Sequence, residues 1–208
     1  LMVDVSGSES FGTHEQFKRD VITEISATLA FSAIQNNDKV GLLLFSDEIE
    51  LFIPPKKGKT HVLRIIRELL EFEPGSRRTD FRQALRYMSN VMKKKAIVFV
   101  LSDFVDEGYD SALKIVGKKH DVTGIRVYDR YEEELPKLGM VPMKDSETGE
   151  IVLVNTNSRE VRKNYRANYL KTVDYFENAF TKSGSGTIHT RLDESYVKKL
   201  LSYFKRRN

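Results

Sequence analysis

Apolar and polar positions follow two rhythms along this chain: short apolar runs that stop abruptly at carboxylates or hydroxyls, and longer stretches with an apolar residue every third or fourth position. The first run, Leu1-Met2-Val3, ends at Asp4, and Ser6 and Ser8 follow at alternating positions. A buried parallel strand entering a loop reads this way. Phe17, Val21, Ile25 and Leu29 then recur every four residues, which predicts a long helix opened by a capping box of Thr13 and Gln16 and ended by Asn36-Asn37-Asp38. Residues 40–45 predict a second strand. Residues 48–53, closed by Pro54-Pro55, predict an antiparallel edge strand joined to it as a hairpin. Val62, Ile65, Ile66 and Leu69 mark a helix that Pro74-Gly75 stops. Thr79 and Asp80 open the next, with Phe81, Leu85, Met88 and Met92 as its stripe and Lys93, Lys94 and Lys95 at its end, as the helix dipole favours.

Residues 96–101 form the most apolar run and predict a central parallel strand that stops at Ser102-Asp103. Asp106 and Glu107 start a predicted helix reaching Lys118-Lys119, and 122–128 read as another strand. Over 129–157 the rhythm breaks: 140–143 and 151–154 flank the polar stretch 145–150, a hairpin insertion. Val161, Tyr165, Tyr169, Val173, Phe176 and Phe180 follow on one face of a long helix, and their period reads as core rather than as a partner groove. Gly184 and Gly186 break it, 187–192 predict a last strand, and 193–204 a final helix. Strands alternating with helices predict an α/β fold with three layers: a doubly wound, mostly parallel sheet with one antiparallel edge strand, plus the small hairpin insertion. A single domain over 1–208 is expected.

Composition narrows the chemistry. There are no cysteines, which excludes disulfides and thiolate metal sites. No apolar run approaches the roughly 20 residues that span a bilayer, so a cytoplasmic chain without membrane contact is expected. Only three residues precede Asp4, fewer than a central strand usually needs, and the chain is expected to continue upstream. The net charge of +4 is uneven. From Arg159 onward twelve Lys and Arg face five Asp and Glu, a net of +7, which leaves −3 on the rest. Nucleic-acid binding by that basic surface is an alternative reading, but the aromatics there fall at core spacing rather than between charges, so no nucleic acid is expected.

In an open parallel sheet, ligands bind beyond the carboxyl ends of the strands. Asp4, Ser6 and Ser8 lie beyond one such end, Asp103 beyond another, and Thr79 heads a helix starting at the same edge. Hard oxygen donors of this kind suit Mg²⁺, Mn²⁺ or Ca²⁺ better than Zn²⁺. DxSxS alone is a common turn and cap pattern; the partners in distant loops give it meaning.

In these five positions the chain resembles a von Willebrand factor A domain, whose metal-ion-dependent adhesion site uses a DxSxS loop, a Thr from a second loop and an Asp from a third. Asp4, Ser6, Ser8, Thr79 and Asp103 match it in order. A narrower resemblance spans most of the chain: Phe11-Gly12-Thr13, residues 38–45, Ile53-Pro54-Pro55, Thr79-Asp80-Phe81, Ser102-Asp103-Phe104, Glu134-Leu135-Pro136 and residues 145–149 are similar to the bacterial domain-of-unknown-function family fifty-eight. That resemblance implies a von Willebrand A-type domain, often encoded beside MoxR-type AAA+ ATPases, and hence a partnership in complex assembly. It also implies binding without turnover, an acidic residue of a protein partner filling the open position of the bound ion. Two positions depart from the pattern: Glu9 stands where an apolar residue is usual, and Arg78 where a small one is.

Enzyme readings find less support. Gly7 and Gly12 have phosphate-loop spacing, but Thr13-His14 stands where Lys-Ser/Thr is needed, and no G-x-S-x-G elbow is present. An Asp4 nucleophile would want a second acid where Ser6 stands. Metal-dependent hydrolysis, as in a phosphatase, is the alternative kept. His14, His61, His120 and His189 lack the spacing of a zinc site.

Overall fold

The computed structural model describes residues 1–6, 15–144 and 150–207, the side chains of residues 15–17 and 144 excepted. Strand β1 (Met2–Asp4) leads to helix α1 (Glu15–Gln35), then to β2 (Val40–Phe45) and β3 (Ile49–Lys56). Helices α2 (Lys59–Glu71) and α3 (Phe81–Val91) precede β4 (Ile97–Ser102), α4 (Asp110–Lys119) and β5 (Asp121–Tyr128). The insertion contributes the short α5 (Arg130–Glu133) and the strands β6 (Met140–Lys144) and β7 (Ile151–Asn155). The long α6 (Arg159–Lys182), β8 (Gly186–Arg191) and α7 (Tyr196–Arg207) complete the chain.

Six strands form one sheet in the order β3-β2-β1-β4-β5-β8, while β6 and β7 pair apart from it. Every pairing in the large sheet is parallel except that of β2 with β3. Strand side chains alternate between two cores. Met2, Leu43, Phe45, Val98 and Val100 pack against α3, α4 and α6. Val3, Leu42, Leu44, Leu101, Ile125 and Val127 pack against α1, α2 and α7. This is the three-layer α/β architecture expected from the sequence, with β1 near its centre. Among the described residues no helix is long and apolar enough to cross a membrane.

Several elements differ from their predicted form. Pro54 and Pro55 lie inside β3, where the register shifts between Val40 and Leu42 of the neighbouring strand. An edge strand tolerates proline at such an irregularity because the missing N–H has no ladder partner to lose. Gly41 makes room for the bulge, since a Cβ there would stand 2.9 Å from Pro55 Cγ. Helix α4 begins at Asp110, four residues after the predicted Asp106, because Gly108 adopts φ +81°. Asp106 instead accepts the Phe81 N–H at 2.8 Å and so serves the start of α3. Lys93, Lys94 and Lys95 lie beyond the end of α3. The α6 stripe is core only in its last turns: Phe176 and Phe180 are buried, whereas Val161, Tyr165, Tyr169 and Val173 are half-buried. In the stripe of α1, Ile25 and Leu29 are buried; the Phe17 side chain and the Thr13–Gln16 capping box lie outside the described residues.

Candidate functional site

Alternation along β1 sends Met2 and Asp4 to the same side of the sheet, so the strand that buries Met2 also buries a carboxylate at its carboxyl end. Asp4 is 2% exposed. Its Oδ1 accepts the Ser6 backbone N–H at 3.0 Å, and its Oδ2 accepts the Ser102 hydroxyl at 2.7 Å. Burial, and after it the charge of Asp103, push the Asp4 carboxyl up to about 6, against the lowering effect of those hydrogen bonds. Ser6 is fully buried, and the Thr79 hydroxyl donates to its Oγ at 2.7 Å. Asp103 is buried as well: Oδ1 accepts the Val105 N–H at 3.3 Å, and Oδ2 accepts from Lys18 Nζ at 3.2 Å.

The structure thus gathers Asp4, Ser6 and Thr79 through direct or single-residue contacts and brings Asp103 close enough for its charge to act on Asp4. Ser8 and Glu9 lie outside the described residues. Arg78 is exposed, its N–H donating to the Ser76 hydroxyl at 3.3 Å.

Two loops are fixed by contacts that sequence reading missed. Glu50 Oε1 accepts from the Ser46 hydroxyl at 2.7 Å and from the backbone N–H groups of Gly75 and Ser76 at 3.2 and 3.3 Å. It ties the Thr79 loop to the β2–β3 turn, and the Asp80 N–H donates to Ser46 O at 3.1 Å. Asp80 itself caps α3 by accepting the Gln83 N–H. In the loop after β4, Phe104 has φ +56°, an uncommon conformation for a residue with a side chain. Its ring is locked against Phe176 at 4.3 Å, and its N–H donates to the Ser102 hydroxyl. Arg126, 1% exposed, donates from Nε to Asp103 O at 3.0 Å and from a terminal nitrogen to the Tyr169 hydroxyl at 3.1 Å. Its guanidinium lies 4.6 Å from the Tyr128 ring centroid and 4.8 Å from that of Tyr169, a stacked arrangement suited to a buried cation.

Lys18 completes the rim. Its ammonium lies between Asp103 and Glu132, 3.0 Å from Glu132 Oε1. Burial raises the Glu132 carboxyl, the nearby lysine opposing it. Three carboxylates (Asp4, Asp103 and Glu132), two buried cations (Lys18 and Arg126) and the hydroxyls of Ser6, Thr79 and Ser102 therefore share one edge of the sheet. Among the described residues no group of three or more His, Cys, Asp or Glu could hold a metal ion, so a cation here would depend on mixed carboxylate and hydroxyl donors. Two sequence signals pointed to the missed residues: Lys18 is a cation in the first turn of a helix, where the dipole disfavours it, and Arg126 interrupts an apolar strand.

Known proteins resemble this chain in sequence and in shape. Uncharacterized protein Rv1480 of Mycobacterium tuberculosis (strain ATCC 25618 / H37Rv) is 26% identical over 152 residues, 72% of this chain and 48% of that protein. Uncharacterized protein MAV169 of Mycobacterium avium is 21% identical over 165 residues, covering 74% of this chain and 93% of that protein. The chain spans about half the length of the first of these relatives. The conserved hypothetical protein BatB from Bacteroides thetaiotaomicron superposes with a TM-score of 0.56 at 14% identity, over 99% of this chain and 95% of that one. An aerotolerance-related membrane protein from Bacteroides fragilis gives 0.59 at 16% identity, over 99% and 96%. The family model described as "Protein of unknown function DUF58" matches residues 1–174.

Proposed function

Since the chain belongs to the DUF58 family and has a von Willebrand A-like fold, we propose that it is a protein-interaction module which grips an acidic side chain of its partner through a divalent ion. Asp4, Ser6, Thr79 and Asp103 would hold the ion, with Ser8 as the remaining member of the set. Mg²⁺ is the first choice, Mn²⁺ and Ca²⁺ the alternatives, because all the donors are hard oxygens. When bound, such an ion supplies positive charge and a coordination position open to a carboxylate from outside. The chain's own residues do the rest: Glu50 and Asp106 hold the Thr79 loop and the start of α3, Ser102 orients Asp4, and Arg126 fixes the backbone at Asp103.

The observation that carries this reading is the Ser6–Thr79 hydroxyl pair, 2.7 Å apart beside a buried carboxylate whose proton affinity is already raised. Its position at the carboxyl end of a parallel sheet, where ligands of such sheets bind, supports the reading. The family resemblance adds a MoxR-type AAA+ ATPase as the partner in complex assembly. Turnover is not part of the proposal, and a phosphatase screen with Mg²⁺ is expected to stay at background. The direct test is calorimetric titration of Mg²⁺ into wild type and Asp4→Ala, followed by capture of a purified MoxR-type ATPase with and without the ion. Binding lost in Asp4→Ala and capture that needs Mg²⁺ are expected. Capture indifferent to both the substitution and the ion would overturn the reading.

A further inference from the structure

Lysine is almost never fully buried unless paired, and Lys18 is 5% exposed. It stands in the first turn of α1, a helix that packs with α2 and α7 on one face of the sheet. Yet its ammonium reaches across the rim to two carboxylates: Asp103 Oδ2 at 3.2 Å, from the loop after β4, and Glu132 Oε1 at 3.0 Å, from α5 of the insertion. A cation at the positive end of a helix pays a local electrostatic cost, which these carboxylates offset. Asp103 has its other oxygen engaged by the Val105 N–H. A second cation that uses either oxygen of Asp103 joins a carboxylate already paired with the ammonium at 3.2 Å, and two positive charges on one carboxylate repel. Glu132 is built to retain the ammonium when that happens. It already touches Lys18, and it is held in place by a capping box in which its Oε1 accepts the Asp129 N–H at 3.1 Å.

We propose that Lys18 is a tethered cation that competes with the divalent ion for Asp103 and sets the threshold for metal binding, with Glu132 of the insertion as its alternative seat. This rests on the reading of the rim as a metal site. It assigns the insertion a role: α5 holds the lysine's second seat, and the position of α5 governs how readily the ion enters.

The test is Mn²⁺ binding to the full chain, followed by electron paramagnetic resonance of the free ion, with thermal melts to verify folding. Lys18→Met should bind Mn²⁺ about tenfold more tightly than wild type, as expected when a neighbouring like charge is removed. Lys18→Arg, which keeps the charge, should not gain. Where Lys18→Met fails to fold, Lys18→Met/Glu132→Gln removes both partners of the ion pair and is compared with Glu132→Gln alone. The double variant must bind more tightly. Equal affinity with and without the lysine, together with loss in Asp4→Ala, would overturn the competition and leave the metal site standing. Undiminished binding in Asp4→Ala would overturn the metal site, and the competition with it.

Discussion

The hydroxyls of Ser6 and Thr79, 73 positions apart in the chain, lie 2.7 Å from each other. One follows β1 and the other precedes α3, so only the folded sheet edge can join them. Thr79→Val keeps the shape and deletes the oxygen. It is expected to lower Mg²⁺ affinity about tenfold or more, while stability shifts by no more than roughly 1 kcal/mol for one lost hydrogen bond. Calorimetric titration beside a thermal melt measures both.

The Asp4 carboxyl gives a pH signature with a definite sign. Burial first, and then the Asp103 charge, raise it from 3.8 to about 6. The folded state therefore holds this proton more tightly than the unfolded state does. The stability so contributed is fully present below the unfolded value and is lost as pH rises through about 6. In metal-free buffer, wild type is expected to lose stability relative to Asp4→Asn between about pH 4 and about pH 7, with a constant difference above. On the proposed metal site, proton and ion would compete for the same oxygens, so Mg²⁺ affinity should fall as pH drops below about 6. Melts of both proteins across this range, with and without Mg²⁺, give the two trends.

Arg126 ties β5 to the loop after β4 and to α6. Its removal strands the carbonyl of the buried Asp103 and leaves the Tyr169 hydroxyl without its donor. Arg126→Met is expected to cost about 3 kcal/mol, from the unsatisfied carbonyl and the lost cation–π contacts with Tyr128 and Tyr169. Arg126→Lys should recover little, because an ammonium lacks the planar fork that stacks between Tyr128 and Tyr169. Urea unfolding of the two variants decides this.

Gly124 tests the packing of α6 on β5. A Cβ there would stand 2.6 Å from Phe180 and 2.7 Å from Phe176. Gly124→Ala is expected to destabilise by about 1–3 kcal/mol through overpacking, read as a lower urea midpoint. Phe180→Leu in the same chain should relieve part of that loss.

How much of this was legible in the sequence depended on the range of the contact. Strand runs such as 40–45 and 96–101 and helical stripes such as Phe81, Leu85 and Met88 are local patterns, and the order of layers followed from them. Asp4, Ser6, Thr79 and Asp103 could be named because each sits where an element begins or ends. Glu132 and Glu50 could not, since a charged side chain on a helix or turn looks alike whether it faces solvent or a buried partner; Lys18 could be marked as a cation at the wrong end of a helix, but not as the partner of a carboxylate 85 positions away. The half-buried outer turns of α6 were misread as core for a related reason. Period reports a face, and that face meets the insertion at Tyr165 and the end of β5 at Tyr169, placements that no local pattern encodes.

The pairing of β1 with β4 runs Met2 opposite Val100 and Val3 opposite Leu101, and the next step along each strand sets Asp4 beside Ser102. A slip of one residue would turn Asp4 toward the opposite layer. The donor array is therefore a vernier on the zipping of the two central strands. A cation bound by the proposed set would meet its seat only once those strands are paired, so it is expected to slow unfolding more than it speeds refolding.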